Sequence, residues 1–262
     1  MRRWKSLFAG AKYLIAGAFI AGAFATTAGG VKADGMAAPR VATVQEAPTT
    51  WSGVYFGIHS GWAWSNYDNT YTAPGVAGQA WSTNSDDPLV GGQIGIQHQF
   101  GQVILGLEGT LSTTYQFREN AVQCPNPLTI CSGRFNDVLT IGPRIGWAMG
   151  KYMPYITGGY ANGSFDHRVA LTTTGVGTRQ SHDRENGWYI GAGVDMALAA
   201  GWTMGLEYRH YDFGNFTSDR FIPGGTAALL DTGSVDTNVD TITMRVSWKF
   251  DRPERAAAVP LK

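Results

Sequence analysis

From residue 51 to residue 250 apolar and polar positions alternate with a period of two, the signature of extended strands with chemically different faces. Eight segments carry it: residues 51–64, 89–100, 103–113, 135–147, 152–163, 187–198, 202–213 and 239–250. Each is near the ~9–11 residues of a tilted strand that crosses a bilayer. Val54, Phe56, Ile58, Trp62 and Trp64 share one face of the first segment, and Gly53, Tyr55, Gly57, His59 and Gly61 the other. In the third, Val103, Leu105, Leu107 and Leu111 oppose Gly106, Glu108, Thr110 and Ser112; in the last, Ile242, Met244, Val246, Trp248 and Phe250 oppose Thr243, Arg245, Ser247 and Lys249. The fifth segment, around residues 155–161, chooses no face by pattern.

The connections alternate in length. Residues 101–102, 148–151 and 199–201 form tight turns, whereas 65–88, 114–134, 164–186 and 214–238 read as long polar loops. All tight turns then lie at one end and all long loops at the other, as in an up-and-down barrel with periplasmic turns and extracellular loops. An even strand number leaves both termini at the turn end.

Which face meets hydrocarbon decides the class. The polar face is also the glycine-rich one, and eight strands enclose only enough room for side chains. Bulky, branched and aromatic residues fill the other face, as lipid contact requires. The expected fold is therefore all-β, an eight-stranded antiparallel up-and-down transmembrane β-barrel with its apolar face outward. Aromatics band at the strand ends: Trp51, Phe100, Trp147, Tyr152, Trp202, Trp248 and Phe250 near the turns, and Trp62, Trp64, Phe135, Trp188 and Phe213 near the loops. Two girdles at the bilayer interfaces explain that banding; a soluble sandwich has no reason for it. Composition agrees, with 12% aromatic residues, only 15% charged residues and 35 glycines among 262, values that exclude long disorder. Beyond residue 33 no uninterrupted apolar run reaches the ~18–20 residues of a spanning helix.

The ends change the charge balance. Arg2, Arg3, Lys5 and Lys12 precede and open a short apolar run, and Val31-Lys32-Ala33 supplies small residues where a signal peptidase reads them, so residues 1–33 are expected to be a signal peptide. The formal net charge of the whole chain is zero, but five of its 20 basic residues lie in 1–33, which leaves 15 against 20 acidic residues and a net of −5. No basic stripe remains for nucleic acid. Residues 34–50 read as a flexible periplasmic linker, and 251–262 as a short C-terminal tail.

The lumen side carries Glu108, Arg144, Asp195, Glu207, Arg209, Arg245 and Lys249. Such a set forms either a self-compensating ion-pair network, with Arg144 reaching Glu108 and Arg245 reaching Glu207, or the charged constriction of a small-solute pore. The plugged lumen is favoured because eight strands leave little aqueous space. Cys124 and Cys131 lie close together in the second long loop, and an exported chain is expected to close that loop with a disulfide. No catalytic, cofactor-binding or metal-binding set is expected. Two cysteines without a neighbouring histidine do not complete a zinc site. His59 points inward, His98 and His210 outward, and His167 and His182 fall in the third loop. A metal or haem held by the loop histidines, and a lipid hydrolase using His210, are minor alternatives.

Three stretches carry a family likeness. Trp51-Ser52-Gly53-Val54-Tyr55-Phe56-Gly57, Gly187-Trp188-Tyr189-Ile190-Gly191-Ala192-Gly193-Val194-Asp195 and Leu206-Glu207-Tyr208-Arg209-His210-Tyr211-Asp212-Phe213-Gly214 resemble the first, sixth and seventh strands of the alphaproteobacterial outer-membrane barrels grouped with opacity-type, porin-like surface proteins. The resemblance implies an eight-stranded barrel in the cell outer membrane, surrounded by lipid and lipopolysaccharide, inserted by the barrel-assembly machinery and lacking catalytic residues. Family chains commonly end at the last aromatic, whereas here residues 251–262 follow Phe250. The expected function is a non-enzymatic barrel that displays surface loops and supports the envelope, with a small-solute pore as the alternative.

Overall fold

The computed structural model describes residues 50–72, 77–115, 121–125, 127–171, 177–198, 201–221 and 229–250. The expected signal peptide, the linker up to residue 49 and the tail lie outside them. Among the described residues nine strands form: β1 (Gly53–Tyr71), β2 (Ala80–Phe100), β3 (Val103–Thr114), β4 (Val122–Gln123), β5 (Thr129–Trp147), β6 (Tyr152–Leu171), β7 (Gly177–Ala197), β8 (Trp202–Phe221) and β9 (Leu229–Phe250). The eight long ones run antiparallel in the order β3-β2-β1-β9-β8-β7-β6-β5, and pairing of β3 with β5 closes the ring. Two-residue β4 only borders the outer end of β5. Val54 pairs with Phe250, so the chain enters and leaves the barrel at the tight-turn end. Gly101 opens the two-residue turn there with φ +63°, a left-handed conformation in which glycine has no Cβ to clash.

In the half of the barrel near the turns, the predicted faces hold. Ile58, Ile94, Leu107, Ile141, Ile190 and Met244 point outward, and Ile94 is 63% exposed. Glycines on the inner face sit where a side chain would collide with a neighbour; a Cβ on Gly95 would overlap the Tyr55 ring. Met153, Tyr155, Thr157 and Ala161 turn inward, which settles the face of the strand whose pattern was ambiguous.

The other half departs from the expectation. The stretches 65–88, 164–186 and 214–238 are mostly strand, not loop, and 129–134 belongs to β5. The period of two persists but its chemistry inverts. Asn66, Asp68 and Thr70 face out, while Tyr67, Asn69 and Tyr71 are buried. Outward residues become polar because they have left hydrocarbon for water, and the inner face gains the apolar core of a soluble protein. Loss of outward hydrophobicity marks the edge of the membrane, not the end of a strand.

The ring also divides there. β3 stops at Thr114, and its last pairs are Leu89↔Thr114 with β2 and Thr113↔Asp137 with β5. Beyond that level β2 and β5 share no ladder. β7 and β8 part above Trp188↔Asp212 and meet again at Gln180↔Phe221. Two sheets result, β2-β1-β9-β8 and β5-β6-β7, packed face to face. Phe165 of β6 lies between rings of the opposite sheet, with centroid distances of 6.3 Å to Tyr67, 4.9 Å to Phe213 and 6.0 Å to Phe216. The chain is thus a closed barrel continued outward by a β-sandwich.

Three aromatics assigned to the girdles lie inside instead. Trp51 and Phe213 share the parity of the inner face and are buried. Phe135, 1% exposed, is turned inward by a bulge between Phe135 and Asp137, since one extra residue flips the side-chain alternation. Phe100, Trp147, Tyr152, Trp202 and Phe250 remain outward at the turn end, as do Trp62, Trp64 and Trp188 at the opposite interface.

Candidate functional site

The lumen is filled in layers. Nearest the turns, Trp51, Ile104, Met153 and Tyr155 pack together. Charged residues come next. Glu108 on β3 lies at their centre, 1% exposed. Arg209 on β8 donates to its Oε1 at 2.7 Å, and Arg245 on β9 grips both oxygens, with Nη1 3.2 Å from Oε1. Glu207 on β8 binds the same two arginines, 2.6 Å from Arg209 Nε and 2.8 Å from Arg245 Nη1. Arg144 on β5 bonds most closely to Asp195 on β7 and stands 3.6 Å from Glu108. Three guanidinium groups meet three carboxylates, so the cluster carries no net charge.

Neutral groups complete it. The Tyr55 hydroxyl donates to Glu108 Oε2 at 2.7 Å, and the Tyr155 hydroxyl to Glu207 Oε2 at 2.8 Å. Arg144 stacks over the Tyr155 ring, 3.6 Å from its centroid, a cation–π contact that strengthens away from water. Arg209 also donates to Thr110 at 3.1 Å and Thr140 at 3.0 Å. Six of the seven expected lumen charges thus come together. Lys249 stands apart, with Nζ on the backbone oxygen of Thr50.

Above the charges, the ring nitrogens of His59 meet Gln93 at 2.6 Å and Ser112 at 2.8 Å, and Gln93 donates to Ser247 at 3.0 Å. The apolar core of the sandwich follows, with Ala63, Tyr67, Leu89, Phe135, Phe165, Tyr211, Phe213 and Val239 among its members. At the outer end Cys124 and Cys131 form a disulfide, buried against Tyr71, Trp81 and Val169. The apolar layers were missed in the sequence, although Tyr67, Tyr71 and Phe213 at inward parity carry their signal.

The histidines gather no cofactor set. His98 stacks on Phe100, with ring centroids 4.5 Å apart. Outward-facing His210 is bonded to Asp240 at 2.8 Å. His167 and His182 lie on β6 and β7 and not in a loop: His167 is buried in the sandwich, whereas His182 is exposed on its outer surface. His182 Nδ1 is 2.6 Å from Asp166 and its Nε2 3.5 Å from the Ser164 hydroxyl. Ser164 has 0% exposure, so that hydroxyl has no path to a substrate. Among the described residues no three histidines, cysteines or carboxylates could hold a metal.

Comparison with known proteins places this geometry. The chain is 28% identical over 178 residues to the 25 kDa outer-membrane immunogenic protein of Brucella ovis, covering 68% of this chain and 77% of that protein. It is 28% identical to the 31 kDa outer-membrane immunogenic protein of Brucella melitensis, covering 68% and 80%. Among solved structures, the outer membrane protein OprG of Pseudomonas aeruginosa is similar at 14% identity with a TM-score of 0.44, covering 76% of this chain and 97% of that one. Residues 13–250 match the family described as outer membrane protein beta-barrel domain; the chain belongs to that family, and the bilayer its eight long strands cross is the outer membrane.

Proposed function

We propose that this chain is a closed, non-enzymatic outer-membrane anchor that displays the outer sandwich at the cell surface and supports envelope integrity. The observation that carries the reading is the filled lumen: neutral ion pairs lie between apolar layers from Trp51 at one end to the disulfide at the other. An ion crossing it would have to shed its hydration shell against packed apolar side chains. Edge-free pairing around the closed ring supplies main-chain hydrogen bonds that lipid cannot. The outward belt of Trp62, Trp64 and Trp188 suits the headgroup level of the outer leaflet, where lipopolysaccharide is the expected neighbour. Surface exposure of the sandwich also fits the naming of the Brucella relatives for immunogenicity.

The competing reading is a small-solute pore with the lumen charges as its constriction. Single-channel recording of the purified chain in planar bilayers separates the two. A flat current at all holding potentials is expected. Reproducible discrete openings would overturn the closed-anchor reading.

A further inference from the structure

The outward face of β8 and β9 carries a polar pair at the level of the tryptophan belt. His210 and Asp240 are ladder partners, and Trp64 is the partner of Asp240 on β1. Residues directly opposite in a ladder hold their Cβ atoms about 5 Å apart, so indole, carboxylate and imidazole stand in one row. Trp188 on β7 closes it, its ring edge-on to that of His210 with centroids 6.1 Å apart. Toward the turns these strands face hydrocarbon, with Leu206, Ile242 and Met244 exposed. His210 Nδ1 and the Tyr208 hydroxyl both meet one carboxylate oxygen, Asp240 Oδ1, at 2.8 and 2.6 Å. Asp240 Oδ2 and His210 Nε2 are left without a partner among the described residues, and the two side chains are 32% and 34% exposed.

We propose that this row binds the sugar headgroup of a glycolipid in the outer leaflet. Asp240 Oδ2 only accepts hydrogen bonds. His210 Nε2, on a ring whose Nδ1 is engaged by a carboxylate, accepts when the ring is neutral and donates when it is charged. A hydroxyl both donates and accepts, so two neighbouring ring hydroxyls satisfy both atoms in either state. A lipid phosphodiester has no proton for Asp240. Asp212, the next outward residue on β8 with its Oδ1 on the Gly214 amide, adds a second carboxylate that repels it. An ammonium serves Asp240 but offers nothing to a charged imidazole. Trp64 and Trp188, 40% and 50% exposed, supply apolar ring surface at either end of the row for the C–H faces of the sugar. Acyl chains attached to that sugar continue down over Leu206, Ile242 and Met244, a contact that a free saccharide lacks. The site rests on the reading that places Trp62, Trp64 and Trp188 at the outer-leaflet headgroups, and it is independent of whether the lumen conducts.

The test uses the full chain in the sugar-free detergent lauryldimethylamine oxide and three added lipids with identical acyl chains: monoglucosyl diacylglycerol, phosphatidylglycerol and phosphatidylethanolamine. Native mass spectrometry counts the lipid that the folded barrel keeps. The glycolipid should be retained at least tenfold more tightly than either phospholipid, and methyl glucoside at the same concentration should not displace it. His210→Leu with Asp240→Leu should weaken retention by a similar factor and leave heat-modifiable gel mobility unchanged, whereas Trp147→Leu, at the opposite girdle, should retain the glycolipid as the parent does. In the unaltered chain, magnetic cross-relaxation should connect glucose ring protons to the indoles of Trp64 and Trp188. Equal retention of the three lipids, absence of that cross-relaxation, or glycolipid retention that survives the paired substitution would overturn the proposal. Displacement by methyl glucoside would overturn it in favour of a soluble sugar. A folded barrel that keeps the three lipids alike would leave the closed-anchor reading standing, because the planar-bilayer currents decide that reading.

Discussion

Glu108 and Arg245 bind each other across the lumen from β3 and β9, two strands that share no ladder and are separated in the ring by β2 and β1. Their ion pair ties opposite walls where backbone pairing cannot reach. Removing the carboxylate leaves Arg245 and Arg209 to share Glu207 and leaves one positive charge of the cluster uncompensated. A buried charge stripped of its partner costs about 3–5 kcal/mol. Glu108→Ala should therefore lower the temperature at which the folded, fast-migrating gel form is lost. It should not create conductance, because the apolar layers remain. Ion channels in that variant with unaltered heat stability would contradict this assignment.

Lys249 is the control. It lies outside the cluster, with Nζ on the backbone oxygen of Thr50 at the entry to β1. Lys249→Ala should cost less than Glu108→Ala, because it leaves the arginines of the cluster with their carboxylates. Its gel transition should stay close to that of the parent, clearly separate from that of Glu108→Ala.

Phe165 sits where the two sheets of the sandwich meet. Truncating a buried phenylalanine costs about 3–5 kcal/mol, and here the loss should be local. Phe165→Ala should speed amide exchange in β6 beyond residue 163 and in the outer part of β1, while the membrane half keeps its protection. Uniform loss of protection through the whole barrel would show that the two halves are one cooperative unit.

The outward face crosses two solvents, so one substitution should have two prices. Ile94→Arg places a charge against hydrocarbon and should cost about 2–4 kcal/mol near the midplane. Asp68→Arg, on the same outward surface but beyond the tryptophan belt, should change stability by less than about 0.5 kcal/mol, as for ordinary surface positions. Urea unfolding in lipid vesicles measures both; equal costs would place Asp68 in the bilayer.

The Cys124–Cys131 bond holds β4 over the outer end of the core. Reduction should expose the connection between β3 and β5 to protease and leave heat-modifiable mobility intact. If reduction unfolded the barrel, the disulfide would be a global tie and not a local cap.

Much of the membrane half was legible because its outward residues are held to one chemistry. Ile94, Leu107 and Met244 had to be apolar, and Gly95 and Glu108 could then only face in. Phe135 was not legible: its parity says outward, and only the bulge beside Asn136 turns it in. Residues 65–71 misled for another reason. Asn66 and Asp68 are what a loop would show, yet Tyr67 and Tyr71 between them keep the strand period. Reading one face alone hid the strand. The ion pairs were legible as a set, since six charges at inward parity must compensate one another, but Asp195 as the closest partner of Arg144 depends on curvature that spacing does not encode. The tyrosine hydroxyls that finish the cluster were visible at inward parity as Tyr55, and hidden on the fifth predicted strand as Tyr155.

The central claim is that one continuous outward face passes from lipid to water at the Trp62–Trp64 level while the inner face stays dry throughout. Spin labels placed one at a time along β1, from Val54 to Thr70, in the chain reconstituted into vesicles, test it directly. Even-numbered positions should be accessible to oxygen up to Trp64 and to a water-soluble nickel complex at Asn66, Asp68 and Thr70, with odd positions shielded from both along the whole strand. Alternation that ends at Trp64, or nickel access at Tyr67 and Asn69, would mean that the strand stops at the membrane and that no sandwich stands above it.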